Sequence, residues 1–386
     1  MSRIRLMRAF AVAVALLCAA SAGAYAQDSY FPPPGPDWER RSAARVGMDS
    51  ALVSEAVAYA IDNETSASRD LLESTQRSSE PHNETIGPIQ PRGEMTGLII
   101  RHGYIVAEWG EPFRVDMTFS VSKSFLSTTV GLAWDAGLIR DLDDPVREYG
   151  LAEHFESPHN QTITWDHLLR QTSDWEGTLW DKPDWADRPV GEESTWQTRP
   201  RNEPGTAWKY NDVRVNLLAL AALTVWGESL PDVLAEHVMN PIGASDTWRW
   251  HGYENSWVEI GGQRIQSVSG GGHWGGGMFI SARDQARFGL FTLHRGMWDG
   301  NRLLSDEWFD LATTPTVPRP GYGFMNFFLN TDQRRLPDAP QSAVVHLGSG
   351  TNMIYVDAEH DLVIVARWIR GSGISGLVSR VLQAIE

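Results

Sequence analysis

Cysteine is almost missing from this sequence: among 386 residues only Cys18 is one. It falls in a stretch that reads as a removable leader. The remainder can therefore form no disulfide, no thiolate zinc site and no cysteine nucleophile. Lysine is nearly as scarce. Of the 33 basic residues only Lys123, Lys182 and Lys209 are lysine, and the others are arginine. Such a chain has a chemical reason to keep lysine where an amine must lose its proton, which a guanidinium cannot do. Positive charge is outnumbered overall, with a formal net charge of −16. That balance argues against nucleic acid or anionic membrane as a partner. Beyond the leader no stretch approaches the ~18 consecutive apolar residues of a membrane span. No H-E-x-x-H occurs and the eleven His are scattered, so no metal site is indicated. No serine stands in a G-x-S-x-G elbow either.

What is present begins with an address. Arg3, Arg5 and Arg8 precede an apolar run from Ala9 to Ala20, and small residues then lead to Ala24-Tyr25-Ala26. This is the pattern of a secretory signal peptide over 1–26, cut after Ala26, and it implies a periplasmic or secreted protein. About 360 residues remain, enough for a large core. Residues 27–48, with the proline run Phe31 to Pro36, read as an extended N-terminal arm.

The rest, 49–386, reads as one α+β catalytic domain. Asp49 to Asp62 has the spacing of an amphipathic helix, with Leu52, Ala56 and Ala60 inward and Asp49 or Ser50 as N-cap. The polar stretch Asn63 to Arg92 is a loop or a flap. Thr96 to Arg101 and Tyr104 to Trp109 flank a His102-Gly103 turn and predict a β-hairpin. Met353 to Val356 and Leu362 to Trp368 predict two further strands, followed by a short helix from Ser375 to Ile385. Between these ends the signals are helical: Ser120 to Ala136, Ile163 to Arg170, Val213 to Trp226 and Leu230 to Met239. The expected architecture is an antiparallel sheet flanked by helices, built from about 49–144 and 275–386. A mostly helical lobe over about 145–274 is inserted in it. Eleven of the 17 Trp lie between Trp165 and Trp274, where they either pack densely or line an apolar cleft. Asp174, Asp181 and Asp184 in this region read as a solvated loop. Asp141 to Pro145 reads as a turn rather than a calcium loop, since it lacks the Gly and distal Glu of that motif.

The chemistry concentrates at Phe119-Ser120-Val121-Ser122-Lys123-Ser124-Phe125. Here S-x-x-K places Ser120 and Lys123 on one face at a helix start. A neutral lysine within reach can take the proton of an otherwise weak serine nucleophile, and the helix N-terminus favours that neutrality. Ser122 and Ser124 lack the three-residue spacing. Alone, S-x-x-K is a weak signal. Read with its neighbours, it resembles the nucleophile motif of class C β-lactamases, their esterase relatives and D-alanyl-D-alanine carboxypeptidases. Lys209-Tyr210-Asn211-Asp212, followed by Asn216-Leu217-Leu218, resembles the Y-x-N motif of that family. His346-Leu347-Gly348-Ser349-Gly350 stands where its K-T-G or H-x-G strand belongs. Gly270 to Gly277 and Ser281 to Asp284 are similar to its glycine-rich segment and the helix start after it. The resemblance runs from about Met95 to Ile385, in the expected order.

It implies that Tyr210 shares proton transfer with Lys123, and that the backbone amides of Ser120 and Ser349 form an oxyanion hole. It also implies that Asp212, His346 and Gly348 touch substrate, and that no metal or organic cofactor takes part. Two departures bear on the substrate. Asp212 stands where the motif has Asn, and a carboxylate accepts but does not donate. His346 stands where the lactamases have Lys, a weaker and pH-dependent cation. Both favour a small neutral ester or amide over a β-lactam. The expected activity is thus that of an exported serine hydrolase working through a Ser120 acyl-enzyme. The alternatives are a β-lactamase or D-alanyl-D-alanine carboxypeptidase, and, from another class, a non-hydrolytic penicillin-binding sensor.

Overall fold

The His102-Gly103 pair turns the chain back on itself as its sequence requires, with φ of +52° and +80°, so that β1 (Thr96–Arg101) pairs antiparallel with β2 (Tyr104–Trp109). The computed structural model describes residues 30–76 and 80–386, and the leader read over 1–26 lies outside the described residues. The hairpin joins β7 (Phe328–Leu329), β8 (Val344–Gly348), β9 (Asn352–Asp357) and β10 (Leu362–Arg367). Together they form a six-stranded antiparallel sheet of order β7-β8-β9-β10-β1-β2. Leu362 to Ala366 is apolar on both faces because both faces are covered.

Helices supply the covers. On one face Ile99, Tyr355, Ile364 and Ala366 share a core with α1 (Ser50–Asp62) and the terminal α5 (Ile374–Gln383). Asp49 caps α1, its carboxylate accepting from the amides of Ala51 and Leu52. Val53, Ala56 and Ala60 are its buried residues, and Leu52 packs at the edge of that core. On the other face α4 (Ala282–Leu293) lies close enough that a side chain at Gly289 would collide with Val363 and Ile354. Arg287 of α4 is buried, and its guanidinium donates to the carbonyls of Pro32, Pro33, Gly35 and Ile242. The proline arm is thereby tied to the helix.

Like α4, the helices α2 (Ser122–Asp135) and α3 (Asp212–Trp226) are nearly wholly buried, and these two pack together. A second sheet, of order β3-β6-β4-β5, carries β3 (Asp116–Met117), β4 (Arg249–Ile260), β5 (Gln263–Val268) and β6 (Gly277–Ile280). The helices of the segment 145–274 therefore end at Met239, and a short pairing of Thr178–Leu179 with Lys182–Pro183 lies among them. The segment then adds the β4–β5 hairpin, which the helical expectation did not include. Its Gly261-Gly262 turn, with φ of +59° and +80°, is a standard hairpin signal. A bulge between Gly252 and Trp257 breaks the alternation that would have marked the strand. Among the described residues, no single helix is long and apolar enough to cross a membrane.

Candidate active site

Ser120 follows a residue held in the left-handed region. Phe119 has φ +49°, a conformation that costs a non-glycine residue about 1–3 kcal/mol. Both sides of it are pinned to β6: the Thr118 amide donates to the Met278 carbonyl at 2.9 Å, and the Met278 amide donates to Ser122 Oγ at 2.8 Å. The Phe119 ring meets Trp368 edge-on at 6.4 Å. The chain then turns through Phe119–Val121 into α2. Lys123 thus comes over Ser120, with Nζ 3.1 Å from Oγ. The neighbouring serines are structural. Ser122 accepts from β6, and Ser124 Oγ pairs with His346 Nδ1 at 2.9 Å.

Tyr210 closes the triangle. Its phenol neighbours Ser120, and Lys123 Nζ lies 4.5 Å from the centre of its ring. Burial pushes the phenol well above its ordinary range, with the Asp212 carboxylate adding to the effect. It therefore stays protonated and can pass a proton only as a neutral hydroxyl. Lys123 is fully buried, and burial draws its amine below the ordinary lysine range. Asp212 opposes that shift and Arg188 assists it.

Asp212 is where the structure departs most from the sequence reading. It does not face substrate. Its side chain is 1 % exposed, with Oδ1 accepting from Lys123 Nζ at 2.7 Å and Oδ2 from Arg188 Nη1 at 2.8 Å. Asn211, one residue earlier, caps α3 by accepting from the Arg214 amide. His346 departs as well. It is buried against Ser124 and the rings of Phe288 and Phe327, away from the cleft. Burial lowers its pKa to about 4, so it is a neutral packing residue and holds no anion. Gly348 packs on Thr118, whose carbonyl would collide with any side chain there. Its lack of a side chain brings β8 against the nucleophile turn, and the cavity is lined instead by Ser349 and Gly350 beyond it.

Ser120, Ser349 and Gly350 line one cavity of about 290 Å³. Trp274 and Trp368 supply apolar walls, and Arg188 and His273 supply polar ones. Ala67, Leu71 and Arg92 also line it, so described residues of the polar stretch 63–92 wall the cleft. Lys182 fastens that wall by donating to the carbonyls of His82 and Glu84 at 2.7 and 2.8 Å. Arg92 fastens it from the other end through Glu64, Thr65 and Ala67. The Trp-rich segment does both things expected of it. Trp165 and Trp175 are fully buried, whereas Trp274 is buried and also borders the cavity. Asp174 and Asp184 are not solvated, contrary to expectation: both are buried and paired with Arg214.

The glycine-rich segment has a plain steric reason. A side chain at Gly271 would fall on Asp212 Oδ1 and Lys123 Nζ. Sequence reasoning did not find Arg188, His273 or this role for Gly271. Arg188 lies in none of the motifs that the sequence displays. Glu80, Asp187 and His273 bring three ligand-type atoms within 4.8 Å of one another. Arg188, however, donates to Asp187 and lies 3.1 Å from His273 Nδ1, so a guanidinium already supplies the positive charge that a metal ion would bring.

The family model described as Beta-lactamase matches residues 98–368. An uncharacterized protein of Alkalihalophilus pseudofirmus is 24% identical over 266 residues, 64% of this chain and 71% of its own. Among solved structures, a family VIII carboxylesterase superposes with a TM-score of 0.58 at 16% identity, covering 88% of this chain and 99% of its own. A Bacillus anthracis protein provisionally named a 6-aminohexanoate-dimer hydrolase gives 0.58 at 17%, covering 92% and 87%. The octameric penicillin-binding protein homologue from Pyrococcus abyssi gives 0.57 at 17%, covering 86% and 76%.

Proposed function

The chain belongs to the β-lactamase family of serine hydrolases, and from that premise we propose that it cleaves a small neutral ester or amide through an acyl-enzyme on Ser120. One observation carries the reading: a fully buried amine, drawn toward neutrality, 3.1 Å from a hydroxyl that opens onto a cavity. Lys123 takes the Ser120 proton as Oγ attacks the carbonyl. The amides of Ser120 and Ser349 receive the oxyanion. The Tyr210 phenol, beside Ser120, relays a proton to the leaving group. Water then enters by the same route in reverse and frees the acid.

The neutral substrate class follows from charge. His346 is buried and neutral, and Arg188 is engaged by Asp212 and Asp187. Neither is a free cation for the carboxylate of a β-lactam. The names of the carboxylesterase and of the 6-aminohexanoate-dimer hydrolase agree with an ester or an amide as the bond that is cleaved. We also propose that the protein is exported to the periplasm or beyond, its mature chain starting at Gln27. N-terminal sequencing of secreted material checks this. The mechanism is tested with a fluorophosphonate probe and peptide mapping. A single adduct on Ser120 and inactivity of Ser120→Ala support it, whereas labelling elsewhere or surviving activity sinks it.

A further inference from the structure

Building on Lys123 as the base, we infer that Arg188 is a positioning residue: by sharing the Asp212 carboxylate, it leaves Lys123 free to accept the serine proton. The geometry is a carboxylate held from two sides, with Lys123 on Oδ1 at 2.7 Å and Arg188 on Oδ2 at 2.8 Å. Lys123 and Asp212 are 0 % and 1 % exposed, whereas Arg188 reaches the cavity wall at 37 %. A buried carboxylate facing a buried amine ordinarily fixes the proton on the amine. That would disable a base. A neutral Asn at this place creates no such difficulty; Asp212 does, and Arg188 removes it by cancelling the carboxylate charge.

The other groups facing this pair do not do the same work. Tyr210 and Tyr322 are phenols kept protonated by burial. Asp187, which accepts from the Asp212 amide, is pushed toward its neutral form by burial. His273 approaches from the glycine-rich segment, with Nδ1 turned to Arg188. Arg188 is the permanent cation among them. Its direction is fixed by Asp187, by His273 and by the Tyr210 ring, 5.0 Å from the guanidinium carbon. Arg188 and Lys123 therefore compete for one anion. The arginine cannot release its proton, so the lysine is the group left able to do so.

The test measures kcat/KM for 4-nitrophenyl acetate against pH in wild type, Arg188→Gln, Arg188→Lys, Asp212→Asn and the Arg188→Gln/Asp212→Asn pair. The acid limb reports protonation of the base in free enzyme. Arg188→Gln is expected to move its midpoint up by roughly one pH unit or more. That is about a tenfold loss below both midpoints, with recovery at high pH. Arg188→Lys keeps the charge and stays near the wild-type midpoint, which covers a Gln variant that fails to fold. Asp212→Asn moves the midpoint down, and on that background Arg188→Gln adds little.

A raised KM with an unmoved midpoint overturns the inference, because Arg188 would then only touch substrate. An equal midpoint shift with Asp212 absent overturns it too, because the route through the carboxylate would be wrong. Fluorophosphonate mapping separates the two levels. Ser120 labelled with an unmoved midpoint removes Arg188 alone, whereas no label on Ser120 removes the parent reading and this inference with it.

Discussion

Gly271 and Asp212 stand so close that a single methyl group on the glycine would occupy the space of the carboxylate oxygen that holds Lys123. The ion pair and the glycine thus form one steric unit, although 59 residues separate them in sequence.

Gly271→Ala should accordingly leave a folded protein with a displaced base. A shift of about 1 Å at a reacting group costs on the order of 10²-fold in turnover. We expect at least that loss in kcat for 4-nitrophenyl acetate, with circular dichroism unchanged. Normal kcat in the variant would show that Lys123 does not need its present position.

Tyr210→Phe removes the hydroxyl and keeps the ring against Lys123 and Trp208. Loss of a positioned proton relay lowers kcat about 10²–10⁴-fold, and binding should change little. Steady-state kinetics that instead showed only a raised KM would assign Tyr210 to the cleft wall.

His346 links stability to acid. Its folded pKa of about 4 lies below the ordinary histidine value, so the unfolded chain binds the proton first. Stability contributed by the neutral imidazole is complete above about pH 6.5 and declines as pH falls toward 4, by roughly 3 kcal/mol in all. His346→Gln should flatten that part of the profile in denaturant titrations at stepped pH. An equally steep decline in the variant would place the acid sensitivity elsewhere.

Lys182→Met should loosen the wall made by residues 80–92. The amine is buried and bonded to two carbonyls, so its loss leaves polar groups unmatched at about 1–3 kcal/mol. The wall borders the cavity and lies apart from the Ser120–Lys123 pair, so KM should rise more than kcat falls. A drop in kcat alone, read from full saturation curves, would contradict that separation.

The sequence made β1, β2, β9 and β10 of the six-stranded sheet legible, because short turns such as His102-Gly103 and clear apolar runs mark hairpins locally. Ser120 and Lys123 were legible for the same reason, being one helical turn apart. Asp212 and His346 were placed in the right motifs but given the wrong surroundings. What decides Asp212 is Arg188, 24 residues earlier on another loop. What decides His346 is the core formed by Ser124, Phe288 and Phe327. Burial of this kind depends on which strand face meets which helix, and a motif spacing does not encode it.

Arg287 extends the cost of editing this protein to its amino-terminal side. Its guanidinium sits inside the molecule, where main-chain oxygens of the proline arm accept from it. Trimming Phe31 to Gly35 would look harmless on a sequence map, yet it would strip three carbonyl acceptors from an enclosed charge. Shortened versions made for expression should therefore begin ahead of Phe31, or replace Arg287 in the same step.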